Sequence, residues 1–333
     1  MYDPTKPYKT AIKELIRKTW KDNPYLDVRD GYYVEFIKKH SGAEVDHTDG
    51  IGTKGVVHWN RRTLKEAAQD VLAMNVNDLV LCGAKPYKAQ VHLMLPQDDH
   101  RAIEEIMIHL SDLCADRKIA ITGGETSIHS NLTGMEISLM VSGVVTEKWL
   151  TPRLAQHGDR LVCIPSSGVH SNGFTLIGEL YGVFNEQEFM PWMTTPTRLY
   201  DHLVLGRKLP VHAAMHITGG AWSKLAEILP NYGTAHLDEW TIPEPFLDIF
   251  RRYEMYYDAG VAAREARPVE TMYRTFNMGV GMVLAVPAED ASWVATAVGG
   301  FVGGEVFVGP PASSFVKQVV LSTKLREEDV VFR

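Results

Sequence analysis

Residues 48–59 read Thr48-Asp49-Gly50-Ile51-Gly52-Thr53-Lys54-Gly55-Val56-Val57-His58-Trp59. How this stretch is read decides which fold the chain is given. Gly50, Gly52 and Gly55 spell G-x-G-x-x-G, and Asp70 stands near the place of a ribose-binding acid. A dinucleotide fold needs a helix to start at the last glycine, so that amide N–H groups and the helix dipole meet the pyrophosphate. The β-branched pair Val56-Val57, followed by His58-Trp59, predicts a strand over Gly55–Trp59 and so argues against that fold. A kinase loop would need H-R-D and D-F-G downstream, and a Walker loop would need G-K-[ST]; none is present. What remains within Asp49–Lys54 is a carboxylate, a pliable backbone, a hydroxyl and a cation. That set suits a magnesium nucleotide, with the acid on the metal and the lysine on phosphate. It suits a plain turn with a solvated lysine equally well.

Outward from this stretch the pattern alternates. Thr63 offers an N-cap to Leu64–Leu81, whose Leu64, Ala68, Leu72, Val76 and Leu79 form an apolar helical stripe. Strands are predicted over Ala89–Leu95, Lys118–Thr122 and Glu136–Val145, with a helix over Asp98–Asp116. The polar run Thr146–Asp159 holds the expected boundary between an N-terminal domain, 1–157, and a C-terminal domain, 158–333. The second half predicts strands at Arg160–Ile164 and Gly279–Val286 and helices at Phe174–Leu180 and Thr197–Leu209. Tyr181–Pro196 and Asn231–Glu265 read as irregular.

Two domains fit 333 residues, and 45% apolar with 23% charged residues describes a soluble globular chain. The net charge of −7 argues against nucleic acid or an anionic membrane as partner. Cys82, Cys114 and Cys163 are odd in number and widely spaced, which speaks against a disulfide framework or zinc knuckle. Met1–Lys6 has no apolar core for a signal peptide, and no apolar run approaches the roughly 18 residues of a membrane span. A reducing cytoplasm is expected.

Further polar motifs punctuate the chain. Asp70, Asn77 and Asp78 sit among apolar neighbours of one predicted helix. Asp70 and Asn77 share a face but lie ~10 Å apart along the axis, so one ion cannot be held directly by both if the helix is continuous. Gly123-Gly124-Glu125-Thr126 lets a backbone approach a ligand while presenting a carboxylate. Ser166–Gly173 lies between a strand and a helix, with small residues and amides suited to an anion and His170 as an acid–base group. His216-Ile217-Thr218-Gly219-Gly220 has the same character. His212 and His216 have zincin-like spacing, but Ala213 stands where the general-base glutamate is needed.

Taken in order, TDGIGTK (48–54), VLAMNVNDLVLCGAKP (71–86), GGET (123–126), SSGVHSNGFTLI (166–177), PTRLY (196–200), HITGG (216–220) and MYRTFNMGVGM (272–282) resemble one family. That family is phosphoribosylformylglycinamidine cyclo-ligase, or aminoimidazole ribonucleotide synthetase. The resemblance implies a mixed α/β, two-domain fold, the N-terminal sheet closing a barrel across a homodimer and the C-terminal domain an α/β sandwich. It implies ATP and Mg²⁺, a small phosphoribosyl substrate, and closure of formylglycinamidine ribonucleotide to aminoimidazole ribonucleotide in purine synthesis. By motif, Asp49, Asp70, Asp78 and Glu125 would hold metal; Gly50, Gly52, Thr53, Lys54, Asn77, Gly123 and Gly124 would line the nucleotide. Ser171, Asn172, Gly173, Thr218 and Gly219 would meet substrate, with Lys54, His170 and His216 catalytic.

Three stretches depart from the family pattern. Asp27–Glu44 is bulky and charged where the family is Gly-rich, Ser127-Ile128-His129-Ser130 replaces an A-E-M-P-like run, and Ala221-Trp222 follows HITGG. The alternatives are another ATP-using enzyme of the superfamily or a non-catalytic nucleotide binder. Among the former, selenophosphate synthetase lacks support because no cysteine precedes Cys82, and thiamine-phosphate kinase because SSGVHSNG and MYRTFNMGVGM are intact.

Overall fold

The structure is a computed structural model that describes residues 8–31, 33–147, 154–182, 188–260, 267–310, 317–323, 325 and 329–333. Met1–Lys6 and, within the stretches read as boundary or irregular, 148–153, 183–187 and 261–265 lie outside the described residues. The chain divides into two compact units, Met1–Thr146 and Glu147–Arg333.

The first unit runs α1 (Tyr8–Trp20), β1 (Leu26–Arg29), β2 (Glu35–Lys38), β3 (Glu44–Gly50), α2 (Lys54–Arg61), α3 (Leu64–Leu81), β4 (Ala84–Leu95), α4 (His100–Asp116), β5 (Ala120–Ile128) and β6 (Glu136–Val145). Its main sheet has the order β3-β6-β4-β5; β6 is antiparallel to both neighbours, and β4 and β5 are parallel. The parallel pair needs the crossover that α4 supplies. Helix α3 packs on β3, β6 and β4, and α4 packs between α3 and α1. Leu64, Ala67, Ala68, Val71, Leu72, Ala73, Val76, Leu79 and Val80 are all buried, so α3 is a core helix, apolar almost all round rather than on one stripe.

Asp27–Glu44, the stretch that is Gly-rich in the family, forms an antiparallel ribbon of β1 and β2, tied to β3 by Lys38 on Glu44 at 2.6 Å. The ribbon is fastened from its N-terminal side. Asn23 donates to the Tyr87 and Lys118 carbonyls at 2.8 Å and accepts from the Tyr25 and Leu26 amides at 2.9 Å. Trp20 donates to the Ile121 carbonyl at 2.7 Å, and the Ile121 amide donates to Thr19 Oγ1 at 2.9 Å.

Two local expectations fail here. Gly55–Trp59 is not a strand but the body of α2. Lys54, Val57 and His58 face inward at helical spacing, and that burial outweighs the strand preference of two valines. A helix therefore does start behind the glycines, and the ground on which the dinucleotide fold was set aside disappears. The exclusion stands on another: β3, which leads into those glycines, pairs antiparallel with β6 rather than in a parallel sheet. Thr63 does not cap α3 through its side chain; its hydroxyl meets His58 instead, at 2.7 Å.

The second unit holds β7 (Arg160–Pro165), α5 (Phe174–Tyr181), α6 (Asp201–Val204), β8 (Ala213–His216), β9 (Gly233–Leu237), α7 (Glu244–Asp258), α8 (Pro268–Thr275), β10 (Val280–Val286), α9 (Ala291–Val298), β11 (Phe301–Val308), β12 (Gln318–Leu321) and β13 (Val330–Phe332). They form a seven-stranded sheet of order β13-β12-β9-β11-β7-β10-β8, antiparallel except for β9 with β12. The helix expected over Thr197–Leu209 shrinks to the four residues of α6, since Pro196 precedes it and Gly206, at φ 75°, follows. Asn231–Glu265, read as irregular, contains β9 and α7.

Candidate active site

In the first unit, β3 delivers the chain into the turn Gly50–Thr53, and α2 and α3 pin that turn from below. The turn follows backbone logic: Gly52 adopts φ 54°, and a Cβ on Gly55 would stand 2.0 Å from the Met135 carbonyl oxygen. Lys54 opens α2 and points inward, where its Nζ meets Asp70 Oδ1 at 3.0 Å and Oδ2 at 2.8 Å. His58 Nε2 meets the same carboxylate at 2.8 Å. Lys54, His58 and Asp70 are wholly buried. Burial opposes the charge on Asp70, but the Lys54 ammonium and the His58 hydrogen bond hold its pKa well below the usual carboxylate range. Burial lowers the His58 pKa. With Asp70 ionised, His58 Nε2–H is the donor, so Nδ1 of the uncharged ring accepts from the Thr63 hydroxyl.

A second polar network lies beside it. His47 Nε2 meets Asp78 at 3.2 Å and its Nδ1 faces Asn75 Oδ1 at 3.2 Å. The Asp78 hydrogen bond raises the His47 pKa against a smaller effect of burial. Asn75, fully buried, accepts from the Asp49 amide at 2.9 Å and donates to the Asp49 and Val71 carbonyls at 3.0 and 2.9 Å. Glu136 faces the turn, accepting from the Gly52 amide at 3.3 Å; burial raises its pKa.

The structure thus brings Lys54 and Asp70 together, as each other's partners. Helix α3 runs unbroken past Asn77, which is buried, so Asp70 and Asn77 do not share one ion directly. Asp49 Oδ1 accepts from the amide of Gly50 at 2.8 Å, and Glu125, exposed on β5 after Gly123-Gly124, accepts from the Thr126 amide at 2.9 Å. Among the described residues no three His, Cys, Asp or Glu side chains gather as a metal set. Asp49, Asp70, Asp78 and Glu125 are thus not drawn into one such set.

The second unit gathers its candidates more tightly. His170 lies at φ 62° in the loop between β7 and α5, and His216 ends β8. Their ring centroids are 6.1 Å apart, and Tyr200 lies 6.2 Å from His170 and 6.0 Å from His216. All three are buried. They fit because Gly281 of β10 lacks a side chain: a Cβ there would stand 1.8 Å from the Tyr200 hydroxyl and 2.7 Å from His170 Cε1. Ser171 Oγ lies 3.1 Å from Thr197 Oγ1. Gly219 borders Asn172, whose Nδ2 a Cβ on that glycine would meet at 3.3 Å, while Asn172 Oδ1 is buried without a hydrogen-bond partner. Gly173 opens α5 at φ 77° against the Phe276 ring, and Thr218 is buried beside His216.

Asn277 ties this cluster together. It donates to the Gly168 carbonyl at 2.9 Å and accepts from the Gly279 amide at 2.9 Å, joining the histidine loop to the start of β10. Sequence reading named neither Asn277 nor Tyr200 as a site residue. Both stand inside strings that carried the resemblance, FNMG and PTRLY, and that is the signal that could have found them. Asn75 likewise stands inside VLAMNVNDLVLCGAKP, whereas His47 and His58 had no such flag.

Two family models match the chain: AIR synthase related protein, N-terminal domain, over 30–145, and AIR synthase related protein, C-terminal domain, over 156–306. The phosphoribosylformylglycinamidine cyclo-ligase of Thermococcus kodakarensis is 37% identical over 73% of this chain and 72% of its own length. The chain belongs to the phosphoribosylformylglycinamidine cyclo-ligase family. Other members of this name span more of it. That of Saccharolobus solfataricus is 32% identical over 88% of this chain and 86% of its own, and that of Latilactobacillus sakei 31% over 84% and 85%. Among solved structures, a hydrogenase maturation protein HypE in complex with ATP aligns with TM-score 0.65 and 14% identity, covering 100% of this chain and 96% of that one. A thiamine-monophosphate kinase from Stenotrophomonas maltophilia aligns with TM-score 0.66 and 16% identity over 96% and 97%. These two share the mixed α/β, two-domain fold of the family.

Proposed function

We propose that this protein closes formylglycinamidine ribonucleotide to aminoimidazole ribonucleotide with consumption of ATP. The observation that carries the reading is a match spanning both units, at 32% identity over 88% of the chain, to a relative named for that reaction. An amide oxygen leaves poorly. Transfer of the terminal phosphoryl group of ATP onto it releases ADP and leaves an imidoyl phosphate. The neighbouring nitrogen then attacks the same carbon, the C–O bond breaks and inorganic phosphate departs with the oxygen. Holding the two reacting ends together supplies the proximity advantage.

The first unit takes the nucleotide in this reading, with Gly50, Gly52, Thr53 and Asn77 on one side and Gly123-Gly124 on the other. Lys54 serves the turn from within, through Asp70. Magnesium arrives as part of the MgATP substrate. The second unit takes the phosphoribosyl substrate, with Ser171, Asn172, Gly173, Thr218 and Gly219 as its polar rim. His170 and His216 orient the reacting amide and move its proton. A second copy of the chain covers the outer face of the first unit's sheet, where Asp46, Thr48, Gln90 and Glu125 are exposed. A reducing cytoplasm is part of this reading, in keeping with Cys82, Cys114 and Cys163 all being free thiols; no described helix is long and apolar enough to cross a membrane.

Incubation with ATP, Mg²⁺ and formylglycinamidine ribonucleotide, read by mass spectrometry, tests this. Equal amounts of aminoimidazole ribonucleotide, ADP and phosphate are expected. ADP without the closed ring would overturn the reading.

A further inference from the structure

We infer that Asn75 is a positioning residue for the nucleotide, acting through the backbone of Asp49; the inference rests on the reading that Asp49–Thr53 meets MgATP. Asn75 lies on α3, one helical turn after Val71 and on the side facing β3. All its amide atoms are committed. Oδ1 accepts from the Asp49 amide and faces His47 Nδ1, while Nδ2 donates to the Asp49 and Val71 carbonyls, each contact between 2.9 and 3.2 Å. The neighbours settle which end of the amide is oxygen, since an N–H on one side and two carbonyls on the other leave one orientation.

The consequence follows from where the grip falls. Asp49 is the last residue but one of β3, on the edge of its sheet, and the glycine turn begins directly after it. Gly50 and Gly52 carry no side chain that could fix the turn, and Gly52 is in the left-handed region. The turn is held at its far end by α2, where Lys54 is locked on Asp70, and at its near end by Asn75 on Asp49. Both anchors sit on α3, at Asp70 and Asn75, five residues apart. One rigid helix thereby sets both ends of a pliable segment, which is how a loop acquires the definition a ligand site needs. Removing the amide of Asn75 releases the near end and leaves the Asp49 N–H and C=O without these partners.

The test compares the full-length protein with Asn75→Ala, using Ser142→Ala as control. Ser142 is also a buried polar residue of this sheet, bonded to Asp46 at 2.5 Å, and does not touch Asp49. Steady-state turnover gives KM for MgATP, KM for formylglycinamidine ribonucleotide and kcat; calorimetry gives the Kd for MgATP alone. Asn75→Ala is expected to raise KM and Kd for MgATP about tenfold and to leave KM for the other substrate within about twofold. Ser142→Ala is expected to change neither. A folded Asn75→Ala with unchanged MgATP binding overturns the assignment, as does a fall in kcat alone that tracks lost folded protein. If Asn75→Ala fails to fold, Asn75→Asp, which keeps Oδ1 and the volume but loses both donor bonds, is judged by the same criteria. Failure of both to fold assigns Asn75 to structure only and overturns the inference. Absence of ring closure by the wild type would sink the functional reading, whereas the MgATP Kd would still decide the role of Asn75.

Discussion

The candidate sites of the two units bury their polar groups in opposite ways. The first buries charge. Lys54 and Asp70 face each other with His58 beside them, and His47 meets Asp78 on the neighbouring face of α3. The second buries rings and amides. His170, His216 and Tyr200 lean on one another over Gly281, and Asn277 stitches two loops through main-chain bonds. Ion pairs tolerate small shifts of geometry but fail when one partner is lost. Ring clusters carry little electrostatic stake but fail when volume changes. The contrast makes different substitutions dangerous in each half.

The sharpest way to break it is Asp70→Asn, which leaves a buried Lys54 uncompensated. A loss of about 3–5 kcal/mol in urea unfolding is expected; a loss under 1 kcal/mol would show that the lysine reaches solvent. In the second unit, Gly281→Ala drives a methyl into Tyr200 and His170 and should cost about 3 kcal/mol. Adding Tyr200→Phe removes the atom hit hardest and should restore part of that stability, measurable as recovery of Tm. Asn277→Ala strands a carbonyl and an amide and should cost about 1–2 kcal/mol, with KM for the phosphoribosyl substrate rising while the MgATP KM stays fixed.

The smallest effect is a pH slope carried by two histidines of the first unit. His58 is disfavoured as a cation in the folded state, so its contribution is present at neutral pH and is lost as pH falls below its ordinary value near 6.5. His47 is favoured as a cation, so its contribution is present in acid and is lost as pH rises through its elevated value. His58→Gln should flatten the acid side of a stability–pH curve and His47→Gln the neutral-to-alkaline side, both read by urea midpoints between pH 5 and about 8.5.

Legibility in the sequence followed the same divide. β6 and α3 are legible at their full extent and α4 nearly so, because their burial is carried by apolar residues whose spacing is visible. Helix α2 was misread for a physical reason. Its inward face includes Lys54 and His58, which a search for apolar periodicity counts as outward, so only Val56-Val57 remained to speak. Asn75 stayed hidden for the same cause: an amide that binds a backbone leaves no pattern. In the second unit the glycines and histidines of the loops were legible as site material, while Tyr200 was absorbed into a helix that Gly206 cuts short. Motifs advertise what touches a ligand; the residues that hold those motifs still are written in tertiary structure.

The fastening of the N-terminal ribbon has a consequence for how the chain is made. Thr19 and Trp20 bind the backbone of Ile121, and Asn23 binds those of Tyr87 and Lys118, partners 64 to 102 positions later. On the ribosome the opening helix emerges long before the strands that receive it, so it waits for β4 and β5 rather than nucleating them. This segment is therefore locked only once the chain has been made as far as Ile121.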